Sequence, residues 1–310
     1  MGYIDDSLLV ADEKDDSIRN VNDTKCLFEK VGFIIHDNKS IVVPVQKLKF
    51  LRFLIDSVKM VVTLPVDKID NIIQECKVLL KKQEATIREV AKVIGILVSV
   101  FWAVEYGPLH YRNLELQKID QLKNCKGNYN SKMRITNVMK TDLRWWLENI
   151  QYQYRNIDHG TPEMVITTDA SLEGCGAVYN DSKIGGRWNE TERVHHINYL
   201  ELLAVFHAIK SFCKNHKNTY VGLRINNTCV IAYINNMGGI QSVECNSLAY
   251  DIWSWCINRD IWVSASYVHT SENIADVESR KFNDNIEWML SKNIFKLLIE
   301  IWVPLILIYL

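Results

Sequence analysis

Val165–Val178 reads VITTDASLEGCGAV, and the two halves of this stretch set the fold. Met164–Asp169 is rich in β-branched residues and predicts a strand that ends in an acid. Gly174–Tyr179 predicts a second strand, and Gly185–Trp188 a third beyond a turn at Asn180-Asp181. Downstream the period becomes helical over Asn198–Phe212, where Leu202, Leu203, Val205, Phe206 and Ile209 are apolar. Val221–Ile225 reads as a strand, Val230–Asn236 and Ser242–Asn258 as helices, and Trp262–Val268 as a strand. A last helix is expected from about Asn273. Strands that alternate with crossover helices predict an α/β fold with a mixed sheet and flanking helices.

Upstream, the polar stretch Gln151–Pro162 is expected to be a linker. Before it the pattern is mainly helical. Ile69, Ile72, Ile73, Cys76, Leu79 and Leu80 keep helical spacing and place an amphipathic helix over about Val66–Gln83. Thr86-Ile87-Arg88-Glu89 is a capping-box signature opening another helix towards Val104, which Gly107-Pro108 ends. About Thr141–Ile150 predicts a further helix packing through Leu143, Trp146 and Leu147. Between Cys26 and Leu64 strand-like runs occur at Val31–Ile35, Ile41–Val43 and Met60–Leu64. The expected division is therefore residues 1–65, 66–150, 151–162, 163–282 and 283–310.

Charge and cysteine content exclude several classes. Among 310 residues, 36 Lys and Arg face 37 Asp and Glu, so no chain-wide field attracts polyanions. Any nucleic-acid contact must be local. His110–Lys140, with seven Lys and Arg against Glu115 and Asp120, is the one candidate, although a solvated helix face has the same composition. The eight cysteines form no CxxC pair, and no secretory h-region opens the chain. Reduced thiols in an intracellular protein, of the cytoplasm or nucleus, are expected. Cys213 and His216 have ligand-like spacing without a second pair, so a buried structural thiol is expected there instead of zinc. Ile301–Leu310 is apolar throughout but too short to span a bilayer. No membrane partner is expected.

Five acids have positions that suit chemistry. Asp5 and Asp6 lie between short apolar runs, and paired carboxylates at a tight turn between strands suit a hard divalent cation. Asp169 ends a strand, Glu201 lies early in a helix, and Asp276 opens the expected last helix. Strand ends and helix starts on one side of an α/β sheet meet in space, so these distant acids converge. Such clusters hold the two metal ions, roughly 4 Å apart, of phosphodiester hydrolysis.

Several blocks carry a family resemblance. Tyr3–Ala11 (YIDDSLLVA) looks like the metal-binding hairpin of reverse transcriptases, and Gly32–His36, Lys39-Ser40, Pro44 and Phe50–Ser57 resemble the end of their palm. Arg88–Glu115 is similar to the following segment of DIRS-like (tyrosine-recombinase type) retrotransposon polyproteins. VITTDASLEGCGAV, INYLELLAV (Ile197–Val205), INNTCVIAYINNMGG (Ile225–Gly239) and NIADVESRKF (Asn273–Phe282) resemble, in order, that group's ribonuclease H blocks, and Phe282–Trp288 its continuation. The resemblance implies a ribonuclease H-like mixed sheet with flanking helices, preceded by a partial reverse-transcriptase palm and a helical thumb or connection. It also implies RNA-templated DNA synthesis and Mg²⁺-dependent cleavage of RNA in RNA–DNA hybrids as ancestral reactions, with hybrids or other nucleic acid as partners. Asp5 and Asp6 match the polymerase metal pair. Asp169, Glu201 and Asp276 match three ribonuclease H carboxylates, which bind metal, and Asn226 stands at the fourth catalytic position.

The departures matter as much as the matches. The chain opens on the YIDD hairpin, so no polymerase activity is expected from it alone. Asn226 replaces an Asp and brings no negative charge. That loss costs several kcal/mol of transition-state stabilisation, about a thousandfold in rate. Relative to the family, Arg52 replaces Gly, Cys175 replaces Trp, Tyr267 replaces His, and His269-Thr270 replaces Pro-Gly. The expectation is a truncated, catalytically impaired polyprotein fragment. The alternative is a non-catalytic nucleic-acid-binding protein that keeps the fold.

Overall fold

The computed structural model describes residues 2, 3, 6–36 and 38–282. Along the chain run β1 (Gly2–Tyr3), β2 (Asp6–Ser7), α1 (Lys14–Lys30), β3 (Lys47–Phe50), β4 (Phe53–Asp56), β5 (Val61–Thr63), α2 (Val66–Leu80), β6 (Glu84–Thr86) and α3 (Ile87–Val98). Next come α4 (Arg112–Asn124), β7 (Lys132–Arg134), α5 (Asn137–Asn149) and β8 (Arg155–Asn156). The remainder is β9 (Met164–Ala170), β10 (Gly174–Tyr179), β11 (Ser182–Arg187), α6 (Ile197–Phe212), β12 (Thr219–Ile225), α7 (Thr228–Asn235), α8 (Val243–Ile257) and β13 (Ile261–Tyr267).

A five-stranded sheet has the order β11-β10-β9-β12-β13, and β9, β10 and β11 pair antiparallel. With its helices it is the mixed α/β arrangement that the strand–helix alternation predicts. By internal packing the chain forms two units. The first gathers the residues up to Met164 with His216–Gly222 and Thr228–Ala265, and the second holds Val165–Asn215, Leu223–Asn227 and the described residues from Ser266 on.

In the first unit, helical spacing does what it predicts. Ile72, Cys76 and Leu79 of α2 are buried, and they join a core with Val90, Leu97, Leu143 and Trp146. The capping box is complete: Glu89 N–H donates to Thr86 Oγ1 at 3.2 Å, and Thr86 N–H donates to Glu89 at 2.8 Å. Such a cap contributes about 1 kcal/mol to the helix it opens. The segment expected as a linker supplies β8, which pairs with β5 in a second sheet of order β3-β4-β5-β8. Beyond β8, His159 stacks on Trp262 with centroids 3.7 Å apart.

Three local expectations are corrected. Val31–Ile35 is no strand: α1 runs to Lys30, and Gly32, at φ +84°, ends it by adopting a conformation that L side chains resist. Ile41–Val43 is no strand either. The pairing is made instead by β3 and β4, whose register joins Phe50 to Phe53 across Leu51 and Arg52, both at positive φ. Arg52, at φ +66°, thus occupies a left-handed position where the resemblance expects glycine. After Asn273 the described residues form turns to Arg280 instead of an α-helix. The tail Ile301–Leu310 lies outside the described residues. Among the described residues, no helix is long and apolar enough to cross a membrane.

In the second unit, β9 is buried almost throughout, and α6, which buries Leu200, Leu202 and Val205, packs on its neighbour β10. Residues 278–282 lie directly on β10 and β11. This close approach needs glycine: a Cβ on Gly176 would stand 2.5 Å from the Ser279 backbone nitrogen, and one on Gly185 2.7 Å from the Glu278 carbonyl oxygen.

Candidate functional site

Asp169 points from β9 into the second unit and is 1% exposed. Three neutral side chains donate to it. Asn226, directly after β12, gives Nδ2 to Oδ1 at 3.1 Å, and Asn273 gives Nδ2 to the same oxygen at 3.1 Å. The Ser279 hydroxyl lies 2.6 Å from Oδ2. Asn273 is held from both ends, since its Nδ2 also donates to the Thr168 carbonyl and its Oδ1 accepts from Ala275 N–H. Strands β9 and β12 are neighbours in the sheet, which puts Asn226 within reach of Asp169 although 57 residues separate them.

Glu201 is buried in α6, and its Oε2 has no hydrogen-bond partner among the described residues. Asn226 Oδ1 is a second buried oxygen without one. Burial, reinforced by the Asp169 charge, pushes the Glu201 carboxyl up to about 8, so it holds a proton at neutral pH. Burial and the Asp276 charge also raise Asp169, while the Ser279 and Asn226 hydrogen bonds pull it down. Asp276 is partly exposed and paired with Arg280, whose Nη2 and Nε lie 2.9 and 3.0 Å from Oδ1.

The structure therefore brings Asp169, Glu201, Asn226 and Asp276 into one neighbourhood. Of the other acid pair, Asp6 is exposed on β2, and Asp5 lies outside the described residues. Asn273 and Ser279 were missed as members of the cluster. Both sit in the same NIADVESRKF block as Asp276, so the signal was present, but only the acid in it was read as chemical.

The donor set can be tested against the expected Mg²⁺. Glu201 Oε2 and Asn226 Oδ1 are oxygens of the kind a hard cation takes. Asp169 Oδ1 already accepts from two amides, while Oδ2 accepts, among the described residues, only the Ser279 hydroxyl. Among the described residues, no three His, Cys, Asp or Glu side chains are grouped closely enough to hold a metal ion. The arrangement as it stands does not fit a two-metal centre. It offers a buried proton on Glu201 and an Asp169 carboxylate hydrogen-bonded by neutral donors.

No family model matches the chain, and no curated protein does. Solved structures of reverse transcriptase and ribonuclease H kind are similar to it. A foamy viral protease–reverse transcriptase in complex with double-stranded DNA aligns at 12% identity and TM-score 0.40, covering 83% of this chain and 44% of its own. The chain thus spans less than half the length of that relative. LC11 ribonuclease H1 in complex with an RNA/DNA hybrid aligns at 16% identity and TM-score 0.33, covering 37% of this chain and 93% of its own. Ribonuclease H1 of the archaeon Halobacterium salinarum gives 16%, 0.32, 37% and 92%. At these scores the function has to be argued from the side chains.

Proposed function

We propose that residues 163–282 are the ribonuclease H-like part of a DIRS-like retrotransposon polyprotein, with residues 1–65 from its palm and 66–150 from its helical connection. In this reading Asp169, Glu201, Asn226 and Asp276 are the inherited catalytic positions, and cleavage of RNA in RNA–DNA hybrids is impaired. The observation that carries it is the amide of Asn226 donating to Asp169 where a cation-binding carboxylate pair is expected. Asn226→Asp restores the missing charge. Hydrolysis of an RNA–DNA hybrid in Mg²⁺ should rise at least tenfold over wild type and fall back in Asn226→Asp combined with Asp169→Asn. Equal background in all three proteins overturns Asn226 as the limiting defect.

A second reading, a nucleic-acid-binding protein without chemistry, has its own support. Asp169 is satisfied without a cation, so the fold does not depend on the reaction. In the basic stretch, Lys123, Lys126, Lys132 and Arg134 are all exposed, and β7 turns Met133 inward while Lys132 and Arg134 face solvent. Hybrid binding that weakens steeply with salt, with no cleavage by wild type, would favour this reading.

A further inference from the structure

The same cluster carries a conclusion that does not depend on its ancestry. A carboxylate buried to the extent of Asp169 needs compensation, because an isolated buried charge is far costlier than a hydrogen-bonded one. In a metal centre the cation supplies it. Here the side-chain hydrogen bonds to Asp169 among the described residues come from neutral donors: Asn226 Nδ2, Asn273 Nδ2 and Ser279 Oγ.

The orientation of Asn226 follows from chemistry. Turned by half a rotation, its Oδ1 would face Asp169 Oδ1 at about hydrogen-bond distance, acceptor against acceptor, with nothing between them. Only a cation or an added proton would make that arrangement favourable. With Nδ2 facing Asp169, Oδ1 is left buried without a donor, as the structure has it. Asn273 cannot turn in its place, since its amide nitrogen and its oxygen are both committed.

We propose that Asn226, Asn273 and Ser279 form a cation-free lock on Asp169, in which the Asn226 amide occupies the role of the ion and must rotate by half a turn before a divalent metal can engage Asn226 and Asp169 Oδ1 together. The folded unit needs no metal, and metal adds nothing to its stability. The substitution Asn226→Asp reverses both properties. The introduced carboxylate would face Asp169 with like charge, and a divalent cation would then relieve the repulsion.

Thermal unfolding of the full chain in EDTA and in increasing Mg²⁺ or Mn²⁺ tests the lock. Wild type should keep its midpoint within about 1 °C throughout. Asn226→Asp should unfold about 3–6 °C lower in EDTA and regain most of this on saturation with metal. Ser279→Ala should also unfold lower in EDTA but gain nothing from metal. A saturable midpoint rise in wild type, or an Asn226→Asp protein as stable as wild type in EDTA, overturns the proposal. If Asn226→Asp fails to fold in either condition, wild type still decides by NMR. The Asn226 side-chain amide should show slowed hydrogen exchange and stay sharp in Mn²⁺ at concentrations below general surface binding. Selective broadening of that resonance refutes the lock. Loss of cleavage or binding activity has no bearing on these readings.

Discussion

Asp142 and Asp169 are buried aspartates, 3% and 1% exposed, in different units, and their surroundings treat them differently. Asp142 projects from α5 to the start of α4, where it accepts from the Asn113 backbone N–H at 3.0 Å and from Asn113 Nδ2 at 2.8 Å. Burial raises it to about 6, and the Asn113 side chain and the backbone amides at the start of α4 oppose the rise. Among the described residues no second acid acts on it, and none of its oxygens is left over. Asp169 shares its neighbourhood with Glu201 and Asp276, and two oxygens in that cluster lack a donor among the described residues. A buried acid that closes a helix end is a structural device. A cluster in which one buried carboxylate raises the next and buried oxygens stay without a donor among the described residues has surroundings of a different kind.

The contrast is sharpest in its pH dependence. The Glu201 carboxyl lies near 8 in the folded chain against an ordinary 4.5, so the folded state holds this proton more tightly. The stability it contributes is present below about pH 4.5 and is lost as pH rises through 8, up to roughly 4 kcal/mol. Glu201→Gln should remove this slope and be the more stable protein at pH 8 in urea denaturation. An unchanged slope would mean that Glu201 is not the strained member of the cluster.

Asp142 should give the next largest effect, with the opposite sign. Asp142→Ala leaves two buried donors of Asn113 without an acceptor and should cost about 2–3 kcal/mol at pH 7. If it costs nothing, the helix-end role fails and the comparison with it. Ser279→Ala should cost about 1–2 kcal/mol through the lost bond to Asp169. A neutral result would show that Asn226 and Asn273 alone satisfy the carboxylate. The smallest change lies outside both acids: Arg52→Gly should stabilise the β3–β4 turn by about 1 kcal/mol, read as a raised urea midpoint, by relieving a left-handed backbone.

The sequence carried the regular elements well where side-chain period and caps agree. The α2 spacing, the Thr86–Glu89 box and the strand–turn–strand run around Asn180 all appear in the structure close to their expected bounds. The first fifty residues were less legible for identifiable reasons. Helix α1 buries none of its residues, so no apolar stripe announces it. The β3–β4 hairpin turns on Leu51 and Arg52, both at positive φ and neither a turn former, so the sequence carries no turn signal there. In the site, Asp169, Glu201 and Asp276 were found because acids at element ends are conspicuous. Asn273 and Ser279 were not, because a neutral donor acquires meaning only once the fold brings it to a carboxylate 104 or 110 residues away.

The glycines of β10 and β11 give the cluster an unexpected kind of fragility. Ser279 reaches Asp169 only because its strip of chain rests flat on Gly176 and Gly185, where even a methyl group would meet backbone atoms. The site is thus partly defined by atoms that are missing: Gly176 pairs with Asp169 across the sheet and lies under Ser279, yet contributes no side chain to either. A single methyl added at either glycine would raise the strip and draw the hydroxyl off the carboxylate without changing any polar residue of the cluster. A catalogue of the cluster's own side chains would record such a protein as intact. The lesion would be one of clearance, and these two glycines are the place to look for it.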